Sequence, residues 1–267
     1  MWRITRQIFR RFFPRRRDPL LDAYVARSPE DDRFEKEYLQ LIDRSDAFVA
    51  SRYVEGIRWR GVLEGFTPAP ARVLDVGAGD GAIELALRGG GYSVVSVESL
   101  WNEVARKLKV TRVIGDAAAL PFRNGVFDAL VCLETIEHLR APRRVAAEMS
   151  RVARPNAALL VTTPARWRFA LRADPHFGIR GLLLLPPALQ RWIASRRGFD
   201  HSKHYVDRIY GSVPQIERAL SQFVLERVLS RTRTPRRFFW DAIVMRNRAY
   251  ESHHSHSIVL GGFDEMS

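Results

Sequence analysis

The chain has 267 residues, enough for one α/β domain with flanking segments or for two small domains. Hydrophobic residues make up 46% and aromatics 10%, which excludes a disordered chain. The single cysteine, Cys132, excludes a disulfide framework and points to a reducing compartment; within its apolar run it reads as a small buried hydrophobe. The formal net charge of +13 suits nucleic acid, anionic lipid headgroups or phosphorylated substrates. Only Lys36, Lys107, Lys109 and Lys203 are lysines, and so strong an arginine skew is equally an effect of genome composition.

Residues 1–44 form a basic extension. Arg3, Arg6, Arg10, Arg11, Arg15, Arg16 and Arg17 precede the first acid, Asp18, and Ile4, Ile8, Phe9, Phe12 and Phe13 fall near one helical face. Three readings stay open: a segment lying on an anionic membrane, a mitochondrial transit peptide in a eukaryotic source, or a loosely ordered tail. No apolar run approaches the roughly 20 residues that span a bilayer, and the N-terminus lacks a signal-peptide core. The expected location is therefore cytoplasmic, with peripheral contact at the inner membrane face as a further option.

Residues 45–267 are expected to form the main domain. Asp46 to Phe66 has the spacing of an amphipathic helix, stopped by Pro68 and Pro70. An alternating strand–helix rhythm follows. Arg72 to Val76 is a strand, Gly81 onward a helix closed by Gly89-Gly90-Gly91, and Tyr92 to Val97 the second strand. Trp101 to Leu108 is helical and Arg112 to Ile114 the third strand. Phe127 to Leu133 is apolar on both faces, as a buried parallel strand should be. Pro142 opens a helix that buries Val145, Met149 and Val152, and Ala157 to Thr163 is the fifth strand. Arg208 to Ser221 reads as helix and Phe223 to Arg231 as the sixth strand. Ser257 to Leu260 is a candidate seventh, while Phe238, Phe239 and Trp240 fall in a stretch the pattern does not place. The pattern predicts a doubly wound, mostly parallel seven-stranded α/β sheet with an insert at about 165–205.

The first strand runs straight into Gly77-Ala78-Gly79-Asp80-Gly81. Glycines permit a sharp turn and a close ligand approach, and the following helix offers its unpaired N–H groups. The loop alone is ambiguous, because Gly77, Gly79 and Ala82 also fit the dinucleotide pattern, and Glu98 at the end of strand two would hold ribose hydroxyls in either case.

Several blocks in order decide the matter. Val73 to Gly81, Val97-Glu98, Gly115 to Phe122, Phe127 to Glu134 and Thr162-Thr163-Pro164 together resemble class I S-adenosylmethionine-dependent methyltransferases, which are Rossmann-like. The likeness covers about residues 45–165. It implies that Gly77, Gly79 and Gly81 shape the methionine-side loop and Asp75 orients it. It further implies that Glu98 binds the ribose, and Asp116 with Ala117 the adenine. Turn capping is the bland alternative for Asp75 and Asp116. Arg52 and Tyr53 are expected near the cofactor from the preceding helix. Pro155-Asn156-Ala157 departs from the family's usual Pro-Gly-Gly.

Glu134, Glu137 and His138 stand at helical spacing after strand four, where the methyl acceptor is expected. This E-x-x-E-H spelling resembles the ubiquinone-biosynthesis O-methyltransferases and the small-RNA 2′-O-methyltransferases, which use it for metal. By that resemblance Glu134, Glu137, His138 and a downstream His204 (or His201) would hold a divalent cation such as Mg²⁺. Without metal, Glu134 and His138 remain the catalytic candidates, His138 as general base, or His138 merely packs and caps. His253, His254 and His256 read as exposed loop.

The insert carries Leu182 to Leu185, Pro186-Pro187, Trp192, Arg191, Arg196 and Arg197. It suits a membrane-surface element or a lid burying its own apolar side chains. The expected activity is methylation, O-directed, of a small hydrophobic or lipid-linked acceptor. An RNA 2′-O-methyltransferase and a non-catalytic cofactor-binding domain are the alternatives. Nothing in the sequence speaks to oligomeric state.

Overall fold

The structure is a computed structural model that describes residues 47–99, 110–169, 173, 177–198, 208–230 and 238–248. The basic extension, the expected helix at 101–108, His201, His204, the 253–256 histidines and the candidate strand at 257–260 lie outside the described residues.

One seven-stranded sheet organises the chain, in the order β3-β2-β1-β4-β5-β7-β6. Its strands are β1 (Arg72–Val76), β2 (Ser93–Glu98), β3 (Arg112–Ile114), β4 (Phe127–Leu133), β5 (Ala153–Thr162), β6 (Phe223–Leu229) and β7 (Ala242–Asn247). The first five pair in parallel, whereas β7 runs antiparallel to both β5 and β6. The helices are α1 (Ala47–Glu64), α2 (Ala82–Gly89), α3 (Pro142–Val152), the short α4 (Arg166–Phe169), α5 (Pro187–Arg196) and α6 (Val213–Ala219).

The strands alternate their apolar residues between two cores, so both faces of the sheet are covered. Val73, Ala129, Val131, Ala158 and Leu160 pack with Trp59, Val62, Leu63, Ile83 and Leu87 of α1 and α2. Leu74, Val76, Leu130, Cys132, Leu159 and Val161 pack on the other face, with Val145 and Met149 of α3 and Ile216 of α6. Cys132 is buried there, and burial pushes its thiol pKa well up, as expected of an inert core cysteine.

The expected seven strands and doubly wound layering are present, with two corrections. The seventh strand is Ala242–Asn247, a buried run between β5 and β6. Trp240, which the sequence pattern left unplaced, is buried just before it and donates its indole N–H to the Thr163 carbonyl. Strand β5 begins four residues earlier than expected. Asn156 takes a left-handed φ of 62° there, between paired segments on either side of an irregularity in the β4–β5 ladder. Asparagine tolerates that conformation better than most residues, so the departure from Pro-Gly-Gly is absorbed locally.

Candidate functional site

The C-terminal ends of β1, β2, β3, β4 and β5 form one edge, and all the expected cofactor residues stand on it. Gly77, Gly79 and Gly81 adopt φ values of 78°, 56° and 86°, a region that L-side chains rarely enter. Each glycine answers a different demand. A Cβ on Gly77 would sit 2.3 Å from Thr135 Cγ2, because the turn after β4 presses on the loop. A Cβ on Gly79 would meet nothing within 4 Å, so the loop faces open space at this position. Gly81 caps α2 without any side-chain hydrogen bond.

The loop is tied down on three sides. The Gly77 amide donates to the Val97 carbonyl at 2.8 Å, and the Gly79 amide to Glu98 Oε2 at 2.9 Å. Arg112 Nη1 donates to the Gly79 carbonyl at 2.7 Å, while its Nε and Nη2 are buried without hydrogen-bond partners. Arg112 was not legible as a loop brace, since nothing in its spacing separates it from the many other arginines. Glu98 also accepts from the Ser99 amide at 2.8 Å through Oε1.

Asp75, at the foot of the loop, is buried, and its Oδ2 has no hydrogen-bond partner. Burial raises its pKa to about 7, helped by Glu84, while Arg52 and Arg112 pull the other way. Asp75 therefore does not cap a turn. Asp116 does: its Oδ1 accepts the Ala118 amide at 2.8 Å, and it stands exposed just after β3 with Ala117 beside it. Tyr53 of α1 is buried in the core, whereas Arg52 lies close enough to act electrostatically on Asp75, Glu134 and Glu137. Arg52 also pairs with Glu55 at 3.0 Å.

The segment after β4 differs from the expected helix. Glu134 has a left-handed φ of 51°, and only Ile136–His138 forms a single 3₁₀ turn. The i, i+3, i+4 convergence of Glu134, Glu137 and His138 on a helical face therefore does not occur. Two bonds from the Glu134 amide, to Thr162 O and Oγ1 at 3.0 Å each, hold the chain in this conformation. Among the described residues no three His, Cys, Asp or Glu side chains form a group able to hold a metal ion.

Glu137 is fully buried, with neither carboxylate oxygen in a hydrogen bond, while the His138 side chain is 41% exposed and its Nε2 lies 3.9 Å from Glu137 Oε1. Burial pushes the pKa values of Glu134 and Glu137 up, and for Glu134 the nearby Glu137 adds to the effect.

The loop, the orphaned Asp75 oxygen and the acidic strand ends thus stand together on one sheet edge. Residues 74–161 match the family described as "Methyltransferase domain". Over these residues the chain is similar to a methyltransferase domain. Norajmaline N-methyltransferase of Rauvolfia serpentina is 27% identical over 144 residues, covering 50% of this chain and 49% of that enzyme. Demethylmenaquinone methyltransferase of Renibacterium salmoninarum is 33% identical over 39% of this chain and 46% of its own length. A probable chloroplastic tocopherol O-methyltransferase of Oryza sativa subsp. japonica is 31% identical over 53% of this chain and 39% of its own. The chain thus spans half or less of these curated relatives. Among solved structures, the fold is shared with PH0226 protein of Pyrococcus horikoshii OT3, at a TM-score of 0.55 and 17% identity over 79% of this chain and 94% of that one. A Mesorhizobium loti S-adenosylmethionine-dependent methyltransferase gives 0.50 and 18% over 72% and 98%.

Proposed function

We propose that the chain is an enzyme that moves a methyl group from S-adenosylmethionine to an oxygen of a small acceptor with a large apolar part. The observation that carries this reading is the open space at Gly79, beside the unpartnered Asp75 carboxylate and the Glu98 carboxylate. Asp75 and Gly77 to Gly81 would hold the methionine end, Glu98 the ribose, and Asp116 with Ala117 the adenine. Bound there, S-adenosylmethionine supplies a methyl group made electrophilic by its sulfonium.

The protein's own share is placement and proton removal. His138, exposed on the turn after β4, takes the acceptor proton through its ring. Glu137, buried behind it, orients the ring electrostatically. Glu134 shapes the turn and lines the approach to it. In this reading the two glutamates tune a proton acceptor rather than ligate a cation.

The apolar acceptor is supported by relatives named for demethylmenaquinone and tocopherol. It is supported also by the insert, where Leu184, Leu189, Trp192 and Trp167 are exposed while Leu182 and Leu183 are buried. Arg196 stacks on Trp192 with its guanidinium carbon 5.1 Å from the ring centroid. Aromatic and leucine side chains flanked by arginine suit the anionic cytoplasmic face of a membrane. No helix among the described residues is long and apolar enough to cross one. The insert's position after β5 resembles that of the ubiquinone-biosynthesis O-methyltransferases, whereas the 134–138 turn does not reproduce the metal arrangement of that resemblance.

Gly79→Arg tests the reading. The new side chain enters open space, so the fold should survive with a backbone cost of roughly 1 kcal/mol for a non-glycine at positive φ. Calorimetric titration with S-adenosylmethionine should show binding to the wild type and at least a hundredfold loss in the variant. Equal affinity in the two proteins would remove the cofactor assignment.

A further inference from the structure

We propose a second binding site beside the catalytic turn: an arginine-rimmed cavity that takes a phosphate or diphosphate group of the methyl acceptor. Calling its ligand the acceptor rests on the reading above; the anion site does not.

The cavity has a volume of about 860 Å³, in the range of metabolite sites. Arg143, Arg144, Arg166, Arg191, Arg208 and Arg218 line it, and none of its described lining residues is acidic. The chain has 30 acids against 43 bases, so six arginines and no acid among the described lining residues is a local excess rather than an average surface. The arginines come from five separate segments. Arg143 and Arg144 stand in the first turn of α3, Arg166 at the start of α4, Arg191 on α5, Arg208 on the return to the sheet and Arg218 on α6.

Arg166 is committed to structure, donating to the Leu183 and Leu185 carbonyls at 2.7 and 3.0 Å. It fastens the insert against the cavity and leaves its charge in the wall. The other five are exposed at the rim. Helices α3 and α5 both begin here, with no acid in the first turn and no side-chain cap, so their amide ends add to the positive potential. Guanidinium forks recognise phosphate oxygens in pairs, and so many exceed what a single carboxylate needs.

Position links the cavity to chemistry. The glycine loop follows β1, the catalytic turn follows β4, and Arg166 follows β5, so the turn lies between cofactor loop and cavity along the sheet edge. The Arg208 amide donates to the Glu137 carbonyl at 3.2 Å, and the cavity wall begins at Ala141, three residues past His138. S-Adenosylmethionine carries no phosphate, so the cofactor does not account for the arginines. An anion anchored here leaves the remainder of its molecule beside His138.

The test uses the full chain, with inorganic pyrophosphate and short-chain dihexanoyl phosphatidic acid as calorimetric probes. Arg143→Gln/Arg144→Gln/Arg218→Gln is compared with wild type, and Arg218→Gln alone serves as a milder variant. At least one probe should bind wild type, about tenfold more weakly to the triple variant and two- to threefold more weakly to the single one. S-Adenosylmethionine affinity should stay the same throughout. Tighter pyrophosphate supports a soluble phosphorylated acceptor, and tighter phosphatidic acid supports a lipid headgroup. Binding of neither probe, or binding unaltered by the triple change, overturns the site. A failure of the cofactor reading is registered separately, by the Gly79 titration.

Discussion

Asp75, Glu134 and Glu137 put three carboxylates where water solvates them poorly, and burial lifts the pKa of each. A carboxylate raised above its unfolded value contributes stability that is complete below the unfolded pKa and lost as pH climbs through the folded one. For these groups the window runs from the ordinary carboxylate range near 4.5 to about 7. Protein prepared without cofactor should therefore lose melting temperature between pH 5 and pH 8. Glu137→Gln, which removes a charge but keeps the shape, should lose clearly less over the same interval. Parallel slopes for the two proteins in scanning calorimetry would dissociate Glu137 from the effect. At this scale the sequence was informative about identity and silent about environment. Asp75, Glu98 and Asp116 were legible because each ends a strand in a recognisable block. That Asp116 caps a turn while Asp75 does not depends on partners far along the chain.

Helix α3 shows how an element reaches a site it does not line. Arg151 donates to the Leu120 and Phe122 carbonyls at 2.9 and 2.8 Å, and Glu148 Oε2 accepts the Leu120 amide at 2.8 Å. Together they hold the segment that follows Asp116 after β3. Arg151→Met should loosen it at a cost of about 1–2 kcal/mol, since neutral carbonyl acceptors are left unpaired. The expected readout is a several-fold loss of S-adenosylmethionine affinity with turnover of bound complex largely kept; unchanged affinity would detach α3 from the adenine side. The parallel strands were legible because continuous apolar runs between helices have few other uses. Strand β7 was harder: its Ala242–Met245 run ends in Arg246 and in Asn247, which is buried against α3. The 134–138 turn misled for a different reason. Helical spacing is necessary for convergence but not sufficient, and the Thr162 bonds to the Glu134 amide override it.

Seen whole, the molecule joins a sheet edge carrying the glycine loop and the acidic strand ends to an insert that leaves large apolar side chains in the open. Trp192 is 56% exposed and Leu184 51%. Flotation with vesicles of phosphatidylcholine, with and without 30 mole per cent (~30%) anionic lipid, probes that face. The full chain should float with the anionic vesicles, and Leu189→Ser/Trp192→Ser should float markedly less. Equal flotation of both proteins would return the insert to a plain cover over the acceptor. The sequence left those two roles open, because a leucine-rich stretch looks alike whether it faces inward or outward, and here Leu182 and Leu183 do one while Leu184 does the other. Where the chain comes back from the insert, the main-chain amide of Arg208 rests on the carbonyl of Glu137. A shift of the chain at Arg208 would therefore pull on the peptide next to His138, so under the proposed roles a grip on the insert would reach the catalytic turn through one tether.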